Sequence, residues 1–239
     1  MTRFAQEDMI NHMTNPPEIS RVSRSKRQAI AAYDWLSRWY DGLSASSEQP
    51  LTDLGLERLN ARTGETILEI GCGTGRALLA LASAAGDSGR VVGMDISRGM
   101  LNIARDRIAR ANVSQNVTLA QGDACALPFP SVFFDAMFIS FTLELFDTPE
   151  IPMVLSECRR TLKMGGRMSV VAMVRGEHEN IPQRIYEWFH QRMPAYVDCR
   201  PIYVQWTLEQ AGFQIQSVAR KMMWGLPVEI CLAQKTAKG

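Results

Sequence analysis

The 239-residue chain has no excess of charge of either sign: 26 basic residues against 25 acidic ones leave a formal net charge of +1. No global field therefore draws it to nucleic acid or to an acidic membrane, and any charged partner must be recognised locally. Cysteine is scarce. The five present (Cys72, Cys125, Cys158, Cys199, Cys231) are odd in number, widely spaced and free of C-x-x-C pairs. That excludes a disulfide framework and the usual zinc and redox patterns, and implies reduced, mostly buried thiols. Long apolar runs are missing too, because Ala126 to Phe146 is interrupted by Pro128, Pro130, Asp135 and Glu144, which excludes a transmembrane helix there. The opening stretch carries Glu7 and Asp8 where an export signal needs a basic end and then an apolar core, so a cytoplasmic location is expected. No repeat is visible, and no low-complexity tract beyond a short loop read at Ser44 to Pro50.

What is present is length enough for one α/β domain with decorations and a full-sized core. After the breakers Asn15, Pro16 and Pro17, Ser25 and Gln28 have the spacing of a capping box, and Ile30, Tyr33, Leu36 and Tyr40 follow at helical intervals. A second short helix, capped by Thr52 and carrying Leu56 and Leu59, leads to Gly64. From there strand and helix alternate, the mark of a parallel sheet covered on both faces. The pattern predicts strands at 66–70, 90–94, 117–121, 134–140 and 167–174. Helices are predicted at about 75–85, 98–111 and 150–163, the middle one with Met100, Leu101, Ala104, Ile108 and Ala111 on one face and the last stopped by Gly165 and Gly166. An insertion at about 175–206 follows, holding Tyr186, Trp188, Phe189, Tyr196, Tyr203 and Trp206. Beyond a short helix near 207–211, strands at 213–220 and 227–234 are joined too closely for a parallel crossover and must be antiparallel.

Chemistry concentrates at three strand ends. The first strand runs into Gly71, Cys72, Gly73, Thr74 and Gly75 and then directly into a helix, at the carboxyl edge where open α/β sheets bind ligands. A dinucleotide loop needs glycine where Arg76 stands, so a pyrophosphate-binding turn is not matched. Glu69, two residues before the first glycine, suits a ligand's ammonium group and repels a pyrophosphate. Asp95 ends the second strand and is either a helix cap or an acceptor for both hydroxyls of a ribose, with Ile96 and Met100 offering apolar surface to adenine. The third strand ends in Gly122, Asp123 and Ala124, where Asp123 is placed to accept from an adenine amino group. Together the three ends point at one adenosine.

The segments ILEIGCGTG, VVGMDIS, GDACALPFP followed by FFDAMF, and LKMGGRMSVV resemble the successive motifs of class I S-adenosylmethionine (SAM)-dependent methyltransferases. The run from Asp123 to Pro130 ahead of Phe134-Asp135 is most similar to the ubiquinone/menaquinone C-methyltransferase-like group. The resemblance covers roughly residues 60 to 175. It implies that Gly71, Gly73 and Thr74 contact the methionine part of SAM, Asp95 the ribose, and Asp123 and Ala124 the adenine, with Ser140 beside the cofactor. Tyr33-Asp34 and Tyr40-Asp41 resemble tyrosine-aspartate pairs of relatives in which an aromatic ring covers the cofactor, so Tyr40 joins the expected site. Where the quinone enzymes usually carry Phe-Gly-Leu-Arg-Asn after the fourth strand, this chain reads Phe141-Thr142-Leu143-Glu144-Leu145, a carboxylate in place of a cation.

The sequence thus predicts a doubly wound, Rossmann-like seven-stranded sheet with its last strand antiparallel, an amino-terminal helical cap at 1–60, and a SAM-dependent methyltransferase domain at 61–239 with a lid insertion at about 175–206. The expected reaction moves a methyl group to a small-molecule or lipid-like acceptor, quinone-like chemistry included. The rivals are a nicotinamide-dependent oxidoreductase, which Arg76 and Glu69 oppose, and a non-catalytic SAM-binding protein. No metal and no nucleic-acid partner are expected, given the absence of a basic excess and of an Asn/Asp-Pro-Pro-Tyr type motif. Glu144, His178 and His190 are the candidate bases, with Glu144 the one assigned a catalytic part. The aromatic residues of 186–206 form either core or the wall of an acceptor pocket. The basic run Arg21, Arg24, Lys26, Arg27 reads as a solvated face or a phosphate or membrane contact.

Overall fold

The architecture comes from a computed structural model that describes residues 45–174 and 200–237 together with Gln28, Ala31 and Asp34, which are helical. In chain order the elements are α1 (Ala45–Leu59), β1 (Thr66–Ile70), α2 (Arg76–Ala85), β2 (Arg90–Asp95), α3 (Arg98–Arg110), β3 (Val117–Gln121), β4 (Phe134–Ser140), a 3-10 turn (Leu143–Leu145), α4 (Ile151–Thr161), β5 (Leu162–Met173), α5 (Val204–Gln210), β6 (Phe213–Met223) and β7 (Leu226–Lys235). The seven strands form one sheet in the order β3-β2-β1-β4-β5-β7-β6. The strands β1 to β5 pair in parallel, with Ile67 opposite Val91 on one side and Ala136 on the other. Strand β7 is antiparallel to both β5 and β6, so the predicted sheet is the one observed.

Alternation along the strands splits the core between the two faces. Met137 and Ile139 of β4 and Met168, Val170 and Ala172 of β5 pack with Val154, Leu155 and Cys158 of α4 and Leu208 of α5. Ala136, Phe138 and Val171 face the other way, against Leu51 and Leu59 of α1, Leu78 and Leu81 of α2, and Leu101 and Ile108 of α3. Strand order reverses direction at β1 and β4, opening a crevice at their carboxyl ends.

Three local expectations are corrected. Ser44 to Pro50 is not a loop from Ala45 onward, since α1 runs from there through Pro50. The missing proline N–H is outweighed by packing. Leu51 and Leu59 enter the core, Ser169 Oγ donates to Gly55 O at 2.8 Å, and a Cβ at Gly55 would overlap Val171. Thr52 consequently caps nothing; its hydroxyl meets Ser140 Oγ at 2.9 Å. The helix expected to reach residue 163 ends at Thr161 and passes directly into β5. Gly165 and Gly166 lie inside that strand, where the register to β4 jumps between Phe134 and Ala136; Gly165 has φ 75°, so the glycines build a bulge rather than a helix stop. Finally Ala111 is the exposed C-cap of α3 and not part of its buried face.

Candidate functional site

The glycine loop after β1 is pinned to β2. The N–H groups of Gly71 and Cys72 both donate to Met94 O, at 2.8 and 3.1 Å. Gly71 has φ 70° and Gly73 φ 51°, a region that glycine enters without penalty. The two differ in what surrounds them. A Cβ on Gly71 would overlap the side chain of Thr142, whereas a Cβ on Gly73 would meet none of the described residues within 4 Å. Among the described residues Gly73 therefore borders open space at the crevice. Thr74 is held from behind, its hydroxyl and carbonyl oxygens accepting from Arg107 Nη1 at 2.8 and 2.7 Å.

Asp95 closes the same loop from β2: Oδ2 accepts from Gly73 N at 2.9 Å and Oδ1 from Ser97 N at 2.8 Å. Each oxygen keeps further lone-pair capacity for a ligand hydroxyl. Burial pushes its carboxyl pKa up, against the lowering effect of these N–H bonds. Ser97 is the N-cap of α3, accepting from Met100 N at 3.1 Å. Its hydroxyl donates to Asp34 at 2.5 Å, and Gly99 N donates to the same carboxylate oxygen at 2.9 Å. Sequence reasoning left Asp34 out of the site, since its partners Ser97 and Gly99 lie more than sixty residues away.

Glu69 of β1 is buried, and its Oε2 has no hydrogen-bond partner among the described residues. Burial, then the nearby Asp95 charge, raises its carboxyl pKa well above the ordinary value. The neighbouring Cys72 thiol is pushed up for the same reasons, burial first and then Glu69 and Asp95. A buried carboxyl, Glu69, and a half-buried one, Asp95, beside the glycine loop suit a cation that also carries hydroxyls. A ligand with an ammonium group and a ribose fits that donor and acceptor set; a pyrophosphate does not.

The third strand end lies alongside. Gly122 N donates to Asp95 O at 3.1 Å, and Gln121 Nε2 to Ile96 O at 3.2 Å. Asp123 Oδ1 accepts from Cys125 N at 3.0 Å in a tight turn that buries Ala124. Met100 is buried in α3 while Ile96 stays partly exposed. Ser140, at the end of β4, bonds to Thr52, and its carbonyl accepts from Thr142 Oγ1 at 2.8 Å. The residues expected from β1 to β4 thus gather at one edge of the sheet. Tyr40, His178, His190, the aromatic residues at 186–196 and the basic run at 21–27 lie outside the described residues.

Glu144 sits in the 3-10 turn after β4, fully buried. Its Oε1 accepts from Met173 N at 3.1 Å, and its Oε2 has no partner among the described residues. Burial raises its pKa to about 8; the backbone N–H bonds and the Arg200 charge lower it, and Glu48 raises it. Arg200 was not anticipated. It is fully buried, with Nη1 donating to Thr148 Oγ1 at 2.9 Å and Nη2 to Phe146 O. A cation thus returns to the loop that lacks one in sequence, from some fifty residues downstream, a separation no local motif reveals. Among the described residues no group of three or more His, Cys, Asp or Glu is placed to hold a metal, and no helix is long and apolar enough to cross a membrane.

Residues 67–166 match the methyltransferase domain family. The chain is 33% identical to the demethylmenaquinone methyltransferase of Lactococcus lactis subsp. lactis over 74% of its own length and 69% of that protein. It is 35% identical to the demethylmenaquinone methyltransferase of Anoxybacillus flavithermus over 59% of its length, spanning 58% of that relative. Among solved structures, the [4+2]-cyclase SpnF superposes with a TM-score of 0.72 at 20% identity, covering 91% of this chain and 99% of the other, a likeness of fold. Motifs, sheet order and relatives agree, and the chain belongs to the class I SAM-dependent methyltransferases, in the ubiquinone/menaquinone methyltransferase-like group.

Proposed function

We propose that this protein transfers the methyl group of SAM to a quinone-like acceptor in its reduced, hydroxyl-bearing form, with Glu144 as the group that takes the acceptor's proton. The observation that carries the acceptor half is Glu144 itself: a buried carboxyl with one oxygen lacking a partner among the described residues, at the carboxyl ends of β4 and β5, ionising near pH 8. The names of the relatives, demethylmenaquinone methyltransferases, support the acceptor class.

When bound, SAM supplies a methyl group already activated by a sulfonium charge, which a nucleophile takes while the bonding pair of the carbon–sulfur bond stays on sulfur. Glu69 would balance the ammonium group of its methionine part, and Asp95, aligned by the Gly73 and Ser97 N–H groups, would accept the ribose hydroxyls. Asp123 and Ile96 would flank the adenine. The chain's remaining task is to orient the acceptor and hold its proton, since in-line positioning supplies several kcal/mol of the barrier reduction. Glu144 Oε1 is fixed by Met173 N, which leaves Oε2 for an acceptor hydroxyl, and Arg200 supports the carboxylate form. A hydroxyl that gives up its proton makes the adjacent ring carbon electron-rich, and the ring loses its own hydrogen as a proton once the new carbon–carbon bond has formed.

The test is mass-resolved analysis of a reduced demethylnaphthoquinone incubated with protein and SAM. One added methyl on the ring is the expected product; S-adenosylhomocysteine formed only with acceptors of other chemistry would overturn the assignment.

A further inference from the structure

The hairpin joining β6 and β7 is built against its own turn chemistry. Met223 and Leu226 are the last paired residues, so Trp224 and Gly225 alone make the turn, with φ 51° and 80°. Positive φ at both positions is the type I′ geometry, which favours asparagine then glycine. A tryptophan in the left-handed region is costly, and an indole held there is 69% exposed. Met222, just before it, is 60% exposed. Neither side chain belongs to the core clusters of the described residues.

The position of this tip matters. Because β7 is antiparallel to β5 and to β6, β6 runs in the direction of β1 to β5. Its end, and the hairpin beyond it, therefore project from the carboxyl edge of the sheet, the edge that carries Gly73, Asp95 and Glu144. The connection is direct. Pro227, paired with Met222, accepts from Val174 N at 3.0 Å. Val228 pairs with Met173, whose N–H holds Glu144.

Below the apolar tip sits a basic collar. Arg220 and Lys221 are successive strand residues, so they leave the sheet on opposite faces, and both are exposed. Glu229, opposite Arg220, is itself buried and accepts from Arg220 Nε at 2.8 Å, while Lys221 lies opposite Val228. Tryptophan and methionine at a tip, with cations one step behind on both faces, is the arrangement that seats at a bilayer interface: the apolar groups enter the acyl boundary and the cations stay among anionic headgroups.

We infer that the β6–β7 hairpin is a membrane-docking tip, with Trp224 and Met222 entering an anionic bilayer surface so that the carboxyl edge of the sheet faces the lipid in which a quinone-like acceptor dissolves. This rests on the proposed acceptor class for its purpose but not for its chemistry. The test is co-sedimentation of the full chain with vesicles of phosphatidylglycerol in phosphatidylcholine and with phosphatidylcholine alone. Wild type should sediment with the former and far less with the latter. Trp224→Asn suits the turn better than tryptophan, so its Tm should hold or rise while vesicle affinity falls about tenfold or more. Wild type that stays free of anionic vesicles, Trp224→Asn that binds them as wild type does, or a loss confined to self-association in sedimentation velocity would each overturn the inference. A short-chain, water-dissolved acceptor separates the two readings. Trp224→Asn should methylate it at the wild-type rate but turn over a vesicle-borne acceptor slowly. If wild type fails on the short-chain acceptor while vesicle binding still depends on Trp224, the acceptor assignment falls and the docking tip stands.

Discussion

The Asp34 carboxylate and the Ser97 hydroxyl meet at 2.5 Å, joining the amino-terminal helical segment to the start of α3 two residues beyond Asp95. Ser97 serves both neighbours, since its N–H holds Asp95 and its hydroxyl donates to Asp34. Cofactor affinity should therefore depend on Asp34 although that residue lies outside the glycine loop. Asp34→Ala removes an acceptor at a helix start, a change of about 1 kcal/mol, and should weaken SAM binding about fivefold, with partial recovery in Asp34→Asn. Titration calorimetry giving equal affinities for all three proteins would dismiss the coupling.

Asp95→Ala should act more strongly. It takes away the acceptor for Gly73 N and Ser97 N together with the proposed ribose contact. Losing hydrogen bonds to a charged acceptor costs about 1.5 to 3 kcal/mol, which predicts a roughly 10- to 150-fold rise in the SAM dissociation constant. An unchanged constant in a folded variant would remove Asp95 from the site.

Gly71 and Thr142 are coupled by space. Gly71→Ala places a methyl group on Thr142 and forces alanine to φ 70°. Left-handed backbone costs about 1 to 2 kcal/mol, and the overlap a further 1 to 3 kcal/mol or so. Urea denaturation should show Gly71→Ala markedly destabilised, and Gly71→Ala with Thr142→Gly should recover the steric part but not the backbone part. Strict additivity of the two substitutions would contradict the packing.

Glu144 carries a pH dependence whose sign is fixed. Its folded pKa, about 8, lies above the ordinary 4.5 because burial disfavours the charge. The folded chain thus holds a proton that the unfolded chain has released, so this group's contribution is complete below pH 4.5 and is lost as pH rises towards 8, by at most about 1.4 kcal/mol per pH unit. Glu144→Gln keeps an acceptor for Met173 N and should raise Tm relative to wild type at pH 9 while changing little at pH 4. Turnover should move the other way. A base must be ionised, so wild-type kcat should climb through pH 8 and Glu144→Gln should lose both the rate and that rise, with SAM affinity preserved. A variant with the wild-type profile would end the catalytic assignment.

The sheet was legible because each buried strand is a short apolar run bounded by glycine or a polar end, and the close spacing of the last two runs permits only an antiparallel pair. Pro50 misled because a proline reads as a break unless the face around it is known to be packed, and Leu51, Gly55 and Leu59 find their partners on strands up to 115 residues or so away. The bulge at Gly165 and Gly166 looked like a helix stop for a similar reason: glycine signals unusual backbone without saying which kind. The placement of Glu69, Asp95 and Asp123 at the carboxyl edge of the sheet was readable from order alone. Residues brought in by tertiary packing were not. Arg107 behind Thr74, Thr52 on Ser140 and Arg200 beside Glu144 belong to elements whose own sequence shows only a helix face or a charged residue.

The placement of β7 has a consequence for how the chain is assembled. It is the last of the seven strands in sequence, yet it lies inside the sheet, between β5 and β6. During synthesis β6 would leave the ribosome before β7, its one neighbour, and β5 would present a bare edge, until the residues from Leu226 to Lys235 slid between them. The chain therefore cannot complete its sheet strand by strand from the tunnel. Stalling or early termination between Met223 and Leu226 would leave β6 and the outer edge of β5 both unpaired, a product suited to aggregation and to capture by chaperones rather than to partial activity.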